Sequence, residues 1–234
     1  MELLLDRPDL GVRVGVTDAA DGDVHPTRVD DELLASRQLG LTRCRWAMAA
    51  QVHGTATWQV DRVRRPDELV PADIVVLERP ESERSPAALA MWAADCATAV
   101  FVTERALIGV HAGWRGLAAG VIQQAVSASG LVDSVVIGPL IGPCCYEFSE
   151  RDLATVAGGV GAGLDAISGV TAHGSLALDV GAAVGAALAD AGLAPDVVAP
   201  TCTGCTGCGE GGRPRFSHRA RVDVERHALV GWFA

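Results

Sequence analysis

The stretch "ALIGVHAGWRGLAAGVIQQAVSASG" (106–130) contains the change of hydrophobic period that decides the fold. Residues 106–113 form an apolar run typical of a strand, whereas 116–130 carry apolar residues at helical intervals and end in a glycine. The junction places His111, Trp114 and Arg115 within five positions, in a chain with only 4% aromatic residues. Glycines flank these side chains, so the backbone there turns tightly or closely approaches another group. The stretch predicts a strand-to-helix turn that bears functional side chains.

The rest of the chain predicts a mixed sheet with helices on its outer faces. Strand-like segments dominate the first half and alternate with helix-like segments in the second half. The predicted strands are 11–18, 45–54, 55–60, 72–78, 87–96, 97–103, 106–113, 134–142, 195–200 and 224–233, and the predicted helices are 30–40, 116–130, 149–164 and 178–193. Ser149 and Asp179 are expected to cap the last two helices. Since no repeat or long linker interrupts the chain, we expect one α/β domain over residues 1–234.

The composition predicts a soluble protein with a large core. Of the 234 residues, 49% are hydrophobic, which is enough for a core without disulfide or metal support. The net charge of −10 argues against a protein that coats nucleic acid, because phosphate contacts need clustered lysine and arginine. We expect no signal peptide, because the first apolar run is too short and lacks a basic start, and no membrane span, because no apolar run reaches about 18 residues. We therefore expect a cytoplasmic protein whose cysteines are reduced thiols or ligands.

Three strand-like segments end next to a possible ligand or nucleophile. "QVHG" contains His53, "AADC" ends with Cys96, and "GVHAG" contains His111. Two imidazoles and one thiolate suit a borderline-soft ion such as Zn²⁺ and leave a fourth position for water or substrate. Zinc in such a site lowers the pKa of its water to about 7. The pattern predicts one shared metal site formed by His53, Cys96 and His111.

The same residues also allow covalent catalysis. Cys96 would then be a thiolate nucleophile and His111 its base, with Asp95 or a backbone carbonyl orienting the imidazole. The spacing of the residues does not distinguish this scheme from the metal site. Cys96 and His111 are candidate catalytic residues in both.

Candidate substrate-binding groups follow these side chains. Trp114 and Arg115 stand at the predicted helix start, where free N–H groups and a guanidinium favour an anion. Arg115 is therefore a candidate for both catalysis and substrate binding, and Trp114 is a candidate wall of the site. The run "RPRFSHRAR" (213–221) is the only dense basic segment, and its Arg219 is a second candidate for contact with an anionic group.

The cysteine-rich segment "CTGCTGC" (202–208) has spacing that occurs in iron–sulfur and structural zinc sites. A fourth ligand for such a site would have to come from Cys144, Cys145 or His218. The interpretation we favour is that Cys202 points into the substrate site and that Cys205 and Cys208 are incidental.

The segment "IGPCCYEF" (141–148) contains two adjacent cysteines and the only tyrosine of the chain. If this segment is a strand, the two thiols point to opposite faces. We therefore expect at most one of Cys144 and Cys145 to reach any given site.

Taken in order, these motifs resemble the YfiH/laccase-domain family, whose members have been called multicopper polyphenol oxidase, purine nucleoside phosphorylase and peptidoglycan editing factor. The resemblance is carried by "QVHG", "ADC", "HAGWRG", "IGPCCYEF" and a late "CT" before "FSHR", and it runs from about Gly11 to the end of the chain. It implies a layered α/β/β/α fold with a mixed sheet. It also implies that His53, Cys96 and His111 form the family's metal site, generally taken as zinc.

The resemblance further implies reactions on purine nucleosides. These are phosphorolysis of adenosine, inosine and methylthioadenosine, and deamination of adenosine, so the expected partners are a nucleoside and phosphate. Arg115 and the loop that contains Arg219 are the candidates for the phosphate site. The substrate-contacting periphery departs from the family, since its "FSYRR" pattern is "FSHRA" here.

Three other functions stay open at this stage. A copper oxidase of phenols would need many histidine ligands, and the chain has six histidines in all. A hydrolase that edits cell-wall nucleotide-sugar precursors would use Cys96 and His111 as nucleophile and base, or zinc as activator. The altered periphery also fits a non-catalytic paralogue that binds a nucleoside without turning it over.

Overall fold

The computed structural model describes residues 1–81, 88–199, 202–205 and 214–234. Within these ranges the strands are β1 (Glu2–Arg7), β2 (Val12–Val16), β3 (Trp46–Ala47), β4 (Thr57–Gln59), β5 (Ile74–Glu78), β6 (Ala88–Ala93), β7 (Ala97–Val102), β8 (Ala106–Ala112), β9 (Ser134–Ile137), β10 (Ser168–Val170), β11 (Leu176–Leu178), β12 (Val197–Val198) and β13 (His227–Phe233). The helices are α1 (Asp31–Thr42), α2 (Trp114–Ala118), α3 (Val121–Ser129), α4 (Glu150–Val160), α5 (Leu164–Ile167), α6 (Val180–Asp190) and α7 (His218–Arg221). None of the helices described is both long and apolar enough to cross a membrane.

Two mixed sheets lie face to face at the centre of the fold. In the described part of the chain, sheet 1 has the order β1-β2-β13-β6-β3 and sheet 2 the order β12-β9-β7-β8-β5-β4. The strands pair antiparallel except at the edges. Sheet 1 has one parallel edge pair, β3 with β6, and sheet 2 has two, β4 with β5 and β9 with β12. Val14 and Leu229 of sheet 1 pack against Val75 and Val100 of sheet 2 in the core between them.

Helices cover the outer face of each sheet. Ile122 of α3, Leu153 of α4 and Leu188 of α6 pack in the same cluster as Phe101 of β7, on the outer face of sheet 2. Leu34 of α1 packs with side chains of sheet 1 on the opposite side of the molecule. The layers are therefore α/β/β/α, which confirms the predicted mixed α/β architecture.

The predicted helix over 116–130 is two helices. Gly120 lies between α2 and α3 with a φ of 82°, a left-handed conformation that glycine adopts without steric cost. The chain turns at this residue, and α3 therefore packs along β8 instead of continuing α2. Ser149 and Asp179 cap α4 and α6 through their side chains, as predicted.

Candidate metal centre

Three chain segments bring His53, Cys96 and His111 together. His111 belongs to β8, whereas His53 and Cys96 lie in connections that cross from sheet 1 to sheet 2, between β3 and β4 and between β6 and β7. The ligand atoms of the three residues all lie within 4.8 Å of one another. His111 is buried and His53 is exposed, so the group opens to solvent on the side of His53. The structure thus places in one site the three ligands that the sequence suggested.

A fully buried carboxylate, Asp73, holds two of these segments in place. Its Oδ1 lies 2.8 Å from Nδ1 of His111. It also accepts the backbone N–H groups of Val52, His53 and Gly54, at 3.2, 2.9 and 2.7 Å. These bonds explain why the predicted strand over 45–54 ends early, because its amides bind a side chain instead of a neighbouring strand. Nε2 of His111 is left for a metal, and a carboxylate on the other ring nitrogen is the usual support for a metal-binding histidine.

Asp95 has a different role from the one considered in the sequence. Its carboxylate accepts the hydroxyl of Thr203 and the backbone N–H of Arg219, both at 2.6 Å. Its carbonyl accepts the N–H of Ile141 at 2.9 Å. Three later segments are therefore tied to the residue that precedes Cys96, and these bonds offset the strain of a φ of 105° at Asp95. The residue that orients His111 is Asp73.

The glycines of "HAGWRG" allow the helix start to approach the loop that carries His53. A Cβ on Gly113 would lie 2.3 Å from Nδ1 of His53 and 3.4 Å from Sγ of Cys96. A Cβ on Gly116 would lie 3.2 Å from the carbonyl oxygen of Gly54. Any side chain at position 113 would displace His53 from the site.

Hydrogen bonds shift the pKa values of Cys96 and His111 in opposite directions. Burial disfavours the charge on Cys96, but hydrogen bonds from His111 and His53 outweigh it and lower the pKa of the thiol to about 6. Burial also disfavours the imidazolium, but hydrogen bonds to Asp73 and Cys96 raise the pKa of His111 to about 9. Without a metal, the site therefore holds a thiolate and an imidazolium at neutral pH.

Alkylation of Cys96 in metal-free protein should therefore show a pH midpoint near 6, instead of the ordinary value of 9.0. The rate follows the thiolate fraction, since the thiolate is the nucleophile. Timed treatment with iodoacetamide after chelation, followed by peptide mass spectrometry, measures the midpoint. Cys44 is the internal control, because burial raises the pKa of its thiol. A Cys96 midpoint at or above that of Cys44 would contradict the hydrogen-bonded site.

A cavity of about 210 Å³ is lined by His53 and Cys96 of the candidate ligand set. Arg115 stacks 4.4 Å over the ring of Trp114, and Arg219 lies 5.2 Å over the ring of Tyr146. Phe148 contacts both rings, at centroid distances of 5.5 and 5.2 Å. The described lining residues are His53, Ala94, Asp95, Cys96, Ala112, Trp114, Arg115, Ile141, Tyr146, Val180, His218 and Arg219. Two guanidinium groups held on aromatic faces next to a ligand set suit a planar substrate and an anionic group.

Most of the predicted substrate-contacting residues line this cavity. Trp114, Arg115 and Arg219 do so. Cys202 is not among the described lining residues, and its Sγ lies 3.6 Å from that of Cys144. Its contact with substrate stays a prediction. Cys208 lies outside the described residues.

Sequence reasoning missed Asp73 and Tyr146. Asp73 stands at the start of the apolar run "ADIVVLE", and an acidic residue at the entry to a buried strand is the signal that would have identified it. Tyr146 is the only tyrosine of the chain and follows two cysteines, but no spacing rule links it to His111.

The fold and the three-ligand site define an α/β/β/α protein with a candidate metal centre at the junction of two sheets. The model of the family described as multi-copper polyphenol oxidoreductase laccase matches residues 18–234. The chain belongs to this family, which confirms the resemblance inferred from its motifs.

Relatives with assigned names support the same placement. ORF3 of Streptomyces griseus, named a purine nucleoside phosphorylase, is 35% identical over 207 residues, covering 85% of this chain and 78% of that protein. The purine nucleoside phosphorylase YlmD of Geobacillus stearothermophilus is 31% identical over 144 residues, covering 56% of this chain. That match spans about half of the Geobacillus protein, 52% of its length.

Solved structures have the same fold. The hypothetical protein YfiH of Bacillus licheniformis superposes with a TM-score of 0.79 at 22% identity, over 100% of this chain and 97% of that one. The structure of YlmD from Geobacillus stearothermophilus gives 0.75 at 25% identity, over 100% and 96% of the two chains. The YfiH match shows the likeness of fold alone.

Proposed function

We propose that this chain is a zinc-dependent purine nucleoside phosphorylase that acts on adenosine, inosine and methylthioadenosine. The observation that carries the proposal is a single cavity that joins the His53, Cys96 and His111 ligand set to two arginines stacked on aromatic rings. The names of the relatives support the substrate class.

The donor set fits zinc better than a group of copper ions. Two imidazoles and a thiolate, with a carboxylate behind one imidazole, are a common zinc environment. Of the other four histidines, all of which are described, His218 is the one that lines the cavity, whereas a multicopper site needs many histidine ligands. When bound, zinc supplies Lewis acidity and lowers the pKa of a water molecule to about 7.

Phosphorolysis requires the protein to hold phosphate beside the sugar and to orient the base. Arg115 and Arg219 present planar guanidinium groups that match phosphate oxygens. Trp114 and Tyr146 offer ring faces against which a purine packs. A phosphate oxygen attacks C1′ of the ribose, the bond from C1′ to the purine nitrogen breaks, and the base leaves with the bonding electrons and takes up a proton. Asp95 contributes by fixing the backbone of Arg219.

Adenosine deamination is the second reaction that we propose for this cavity. Water then attacks C6 of the purine, ammonia leaves, and inosine is the product. The exposed side of His53 gives water access to the ligand set. Inosine formed in this way is itself a substrate for phosphorolysis.

A hydrolase with Cys96 as nucleophile is a second candidate, favoured by one observation. Sγ of Cys96 lies within 4.8 Å of ring nitrogens of His53 and His111, and a thiol beside an imidazole is the arrangement of cysteine-based hydrolases. Such an enzyme would edit cell-wall nucleotide-sugar precursors through a covalent intermediate on Cys96. Phosphate-dependent release of hypoxanthine from inosine by the zinc-loaded protein supports the phosphorylase. Removal of an amino acid from a cell-wall nucleotide-sugar precursor, without release of hypoxanthine from inosine, points to the hydrolase.

Replacing Arg115 with alanine should raise the KM for phosphate by about 10- to 100-fold, since charge-assisted hydrogen bonds contribute about 1.5–3 kcal/mol. Bound zinc should not change, because Arg115 is not a ligand. The measurement is the initial rate of hypoxanthine release over a series of phosphate concentrations.

Arg13→Ala is the matched control for this variant. Arg13 is an exposed arginine of β2 that pairs with Asp6. Its replacement should leave both the KM for phosphate and the amount of bound zinc unchanged. An Arg115→Ala protein with the wild-type KM for phosphate would contradict the proposed phosphate site.

A further inference from the structure

Four cysteines form a second group of possible metal ligands in the described part of the chain. The Sγ atoms of Cys144, Cys145, Cys202 and Cys205 all lie within 4.8 Å of one another. Sγ of Cys144 is 3.6 Å from that of Cys202 and 3.9 Å from that of Cys205. All four residues are half-buried. We call this group the cysteine cluster, and no step of the proposed phosphorylase reaction uses it.

The local backbone explains how two adjacent cysteines face one cluster. Residues Pro143–Cys145 form a 3-10 turn and not a strand, because Gly142 and Pro143 start a tight turn. In a strand the two thiols would diverge, whereas in this turn both point toward 202–205. The expectation that at most one of Cys144 and Cys145 reaches a given site is therefore wrong.

The two segments that carry the cysteine cluster, 140–145 and 202–205, are in direct contact. Leu140 and Cys202 form a parallel bridge, and the N–H of Thr203 donates to the carbonyl of Leu140 at 3.0 Å. A Cβ on Gly204 would lie 2.8 Å from Cβ of Cys145, and one on Gly142 would lie 3.3 Å from Cβ of Cys202. A side chain at either of these two glycines would therefore crowd the cysteine side chains.

A backbone amide also supports the sulfur atoms. The N–H of Gly142 donates to Sγ of Cys202 at 3.1 Å. Hydrogen bonds of this kind, from outside the ligand set to a ligand atom, orient and stabilise metal-binding groups. The hydrogen bond from Gly142 to Cys202 would give a bound ion this kind of support.

We propose that the cysteine cluster is a second, structural metal site that binds one thiophilic divalent ion, zinc in the first place. Four sulfurs around a tetrahedral zinc, each about 2.3 Å from it, stand about 3.8 Å apart. The Cys144–Cys202 and Cys144–Cys205 distances of 3.6 and 3.9 Å agree with that spacing. The Cys-x-x-Cys spacing of Cys202 and Cys205 is also common in structural zinc sites. An iron–sulfur cluster fits less well, because its cysteines surround several iron atoms.

The oxidation state of Cys205 sets the number of ligands. Cys205 is disulfide-bonded in the structure, so the expectation that the cysteines are reduced thiols or ligands is wrong for this residue. A dithiol reductant transfers two electrons and two protons to this disulfide, which becomes two thiols while the reductant becomes a disulfide. The four cysteine thiols then release their protons as they bind the ion. The site is therefore complete in reduced protein and loses a ligand on oxidation.

An ion in the cysteine cluster would stabilise one wall of the substrate cavity. It would join 140–145 to 202–205, and both segments are tied to Asp95, through Ile141 and Thr203. Asp95 directly precedes Cys96. The inference does not depend on the proposed phosphorylase activity, since it concerns metal content.

The test is the metal content of protein purified with a dithiol reductant and zinc, then freed of unbound ions. We expect two zinc ions per chain in wild-type protein and one in Cys202→Ser. Cys44→Ser is the matched control and should keep two, because Cys44 lies outside the cluster. Treatment with an oxidant should lower the zinc content of wild-type protein to one ion per chain. His111→Ala should keep one zinc ion, the one in the cysteine cluster. The zinc content of this variant therefore tests the cysteine cluster separately from the candidate metal centre.

A second measurement tests the proposal even if Cys202→Ser does not fold. Cobalt added to reduced metal-free His111→Ala should give intense thiolate-to-cobalt charge-transfer absorption, and bound zinc should protect Cys144, Cys145 and Cys202 from alkylation. One zinc ion per chain in reduced wild-type protein, with all three thiols still open to alkylation, would overturn the proposal.

Discussion

Replacing Cys96 with alanine should remove both the metal of the candidate centre and nucleoside turnover. The variant leaves two imidazoles, one of them on an exposed loop, and two ligands rarely retain zinc in a catalytic site. Turnover should fall by about a thousandfold or more, since Lewis-acid stabilisation of developing charge contributes several kcal/mol. Elemental analysis and the rate of phosphorolysis measure the two losses on one preparation.

The same variant separates the metal scheme from simple structural damage. Cys44→Ala also removes a partly buried thiol, but it lies outside both ligand groups and should keep metal and activity. If Cys96 acts as a ligand, adding zinc at high concentration should load part of the Cys96→Ala protein and restore part of its activity. A Cys96→Ala protein with wild-type metal content and turnover would exclude both the metal scheme and the cysteine nucleophile.

Asp73→Asn should weaken metal binding by about 10- to 100-fold, the usual effect of removing a carboxylate that supports a metal ligand. The asparagine keeps the shape of the side chain but has one acceptor oxygen for His111 and the three amides of 52–54. The pKa of His111 should also fall from about 9, because the bond to Asp73 is the largest contribution that raises it. Competition with a chromophoric chelator measures the affinity, and NMR titration of the imidazole measures the pKa.

Asp9→Asn is the control for this charge change. Asp9 is an exposed carboxylate that pairs with Arg7, so its loss should leave the metal affinity unaltered. A positioning role predicts that Asp73→Asn lowers affinity while the circular dichroism spectrum of the folded protein is retained. Wild-type affinity and an unchanged His111 pKa in this variant would show that Asp73 does not orient the ligands.

The three ligands could be predicted because each stands beside a strand whose periodicity is visible in the sequence. His53, Cys96 and His111 follow or end apolar runs, and strand ends from neighbouring runs tend to meet at one edge. Asp73 could not be predicted in its role, because it depends on the antiparallel pairing of β5 with β8, which places Ile74 opposite Val110. The pattern of residues around Asp73 in the sequence does not indicate that pairing.

The elements that the sequence did not predict correctly are those where residue periodicity does not decide the structure. The helix over 116–130 breaks at Gly120 although its apolar spacing continues across the break. β1 was not predicted, because at the edge of sheet 1 its burial does not alternate cleanly. The cysteine cluster depends on a bridge between Leu140 and Cys202, a contact across more than sixty residues that spacing within either segment does not indicate.

Anomalous diffraction at the zinc absorption edge, from crystals of protein purified with zinc, tests the candidate metal centre most directly. The predicted result is a peak bonded to His53, Cys96 and Nε2 of His111, at about 2.0–2.3 Å, with Asp73 still bound to the other nitrogen of that ring. A well-ordered site without a peak, or with Cys96 and His111 turned away from a peak elsewhere in the cavity, would contradict the assignment of these three residues as ligands.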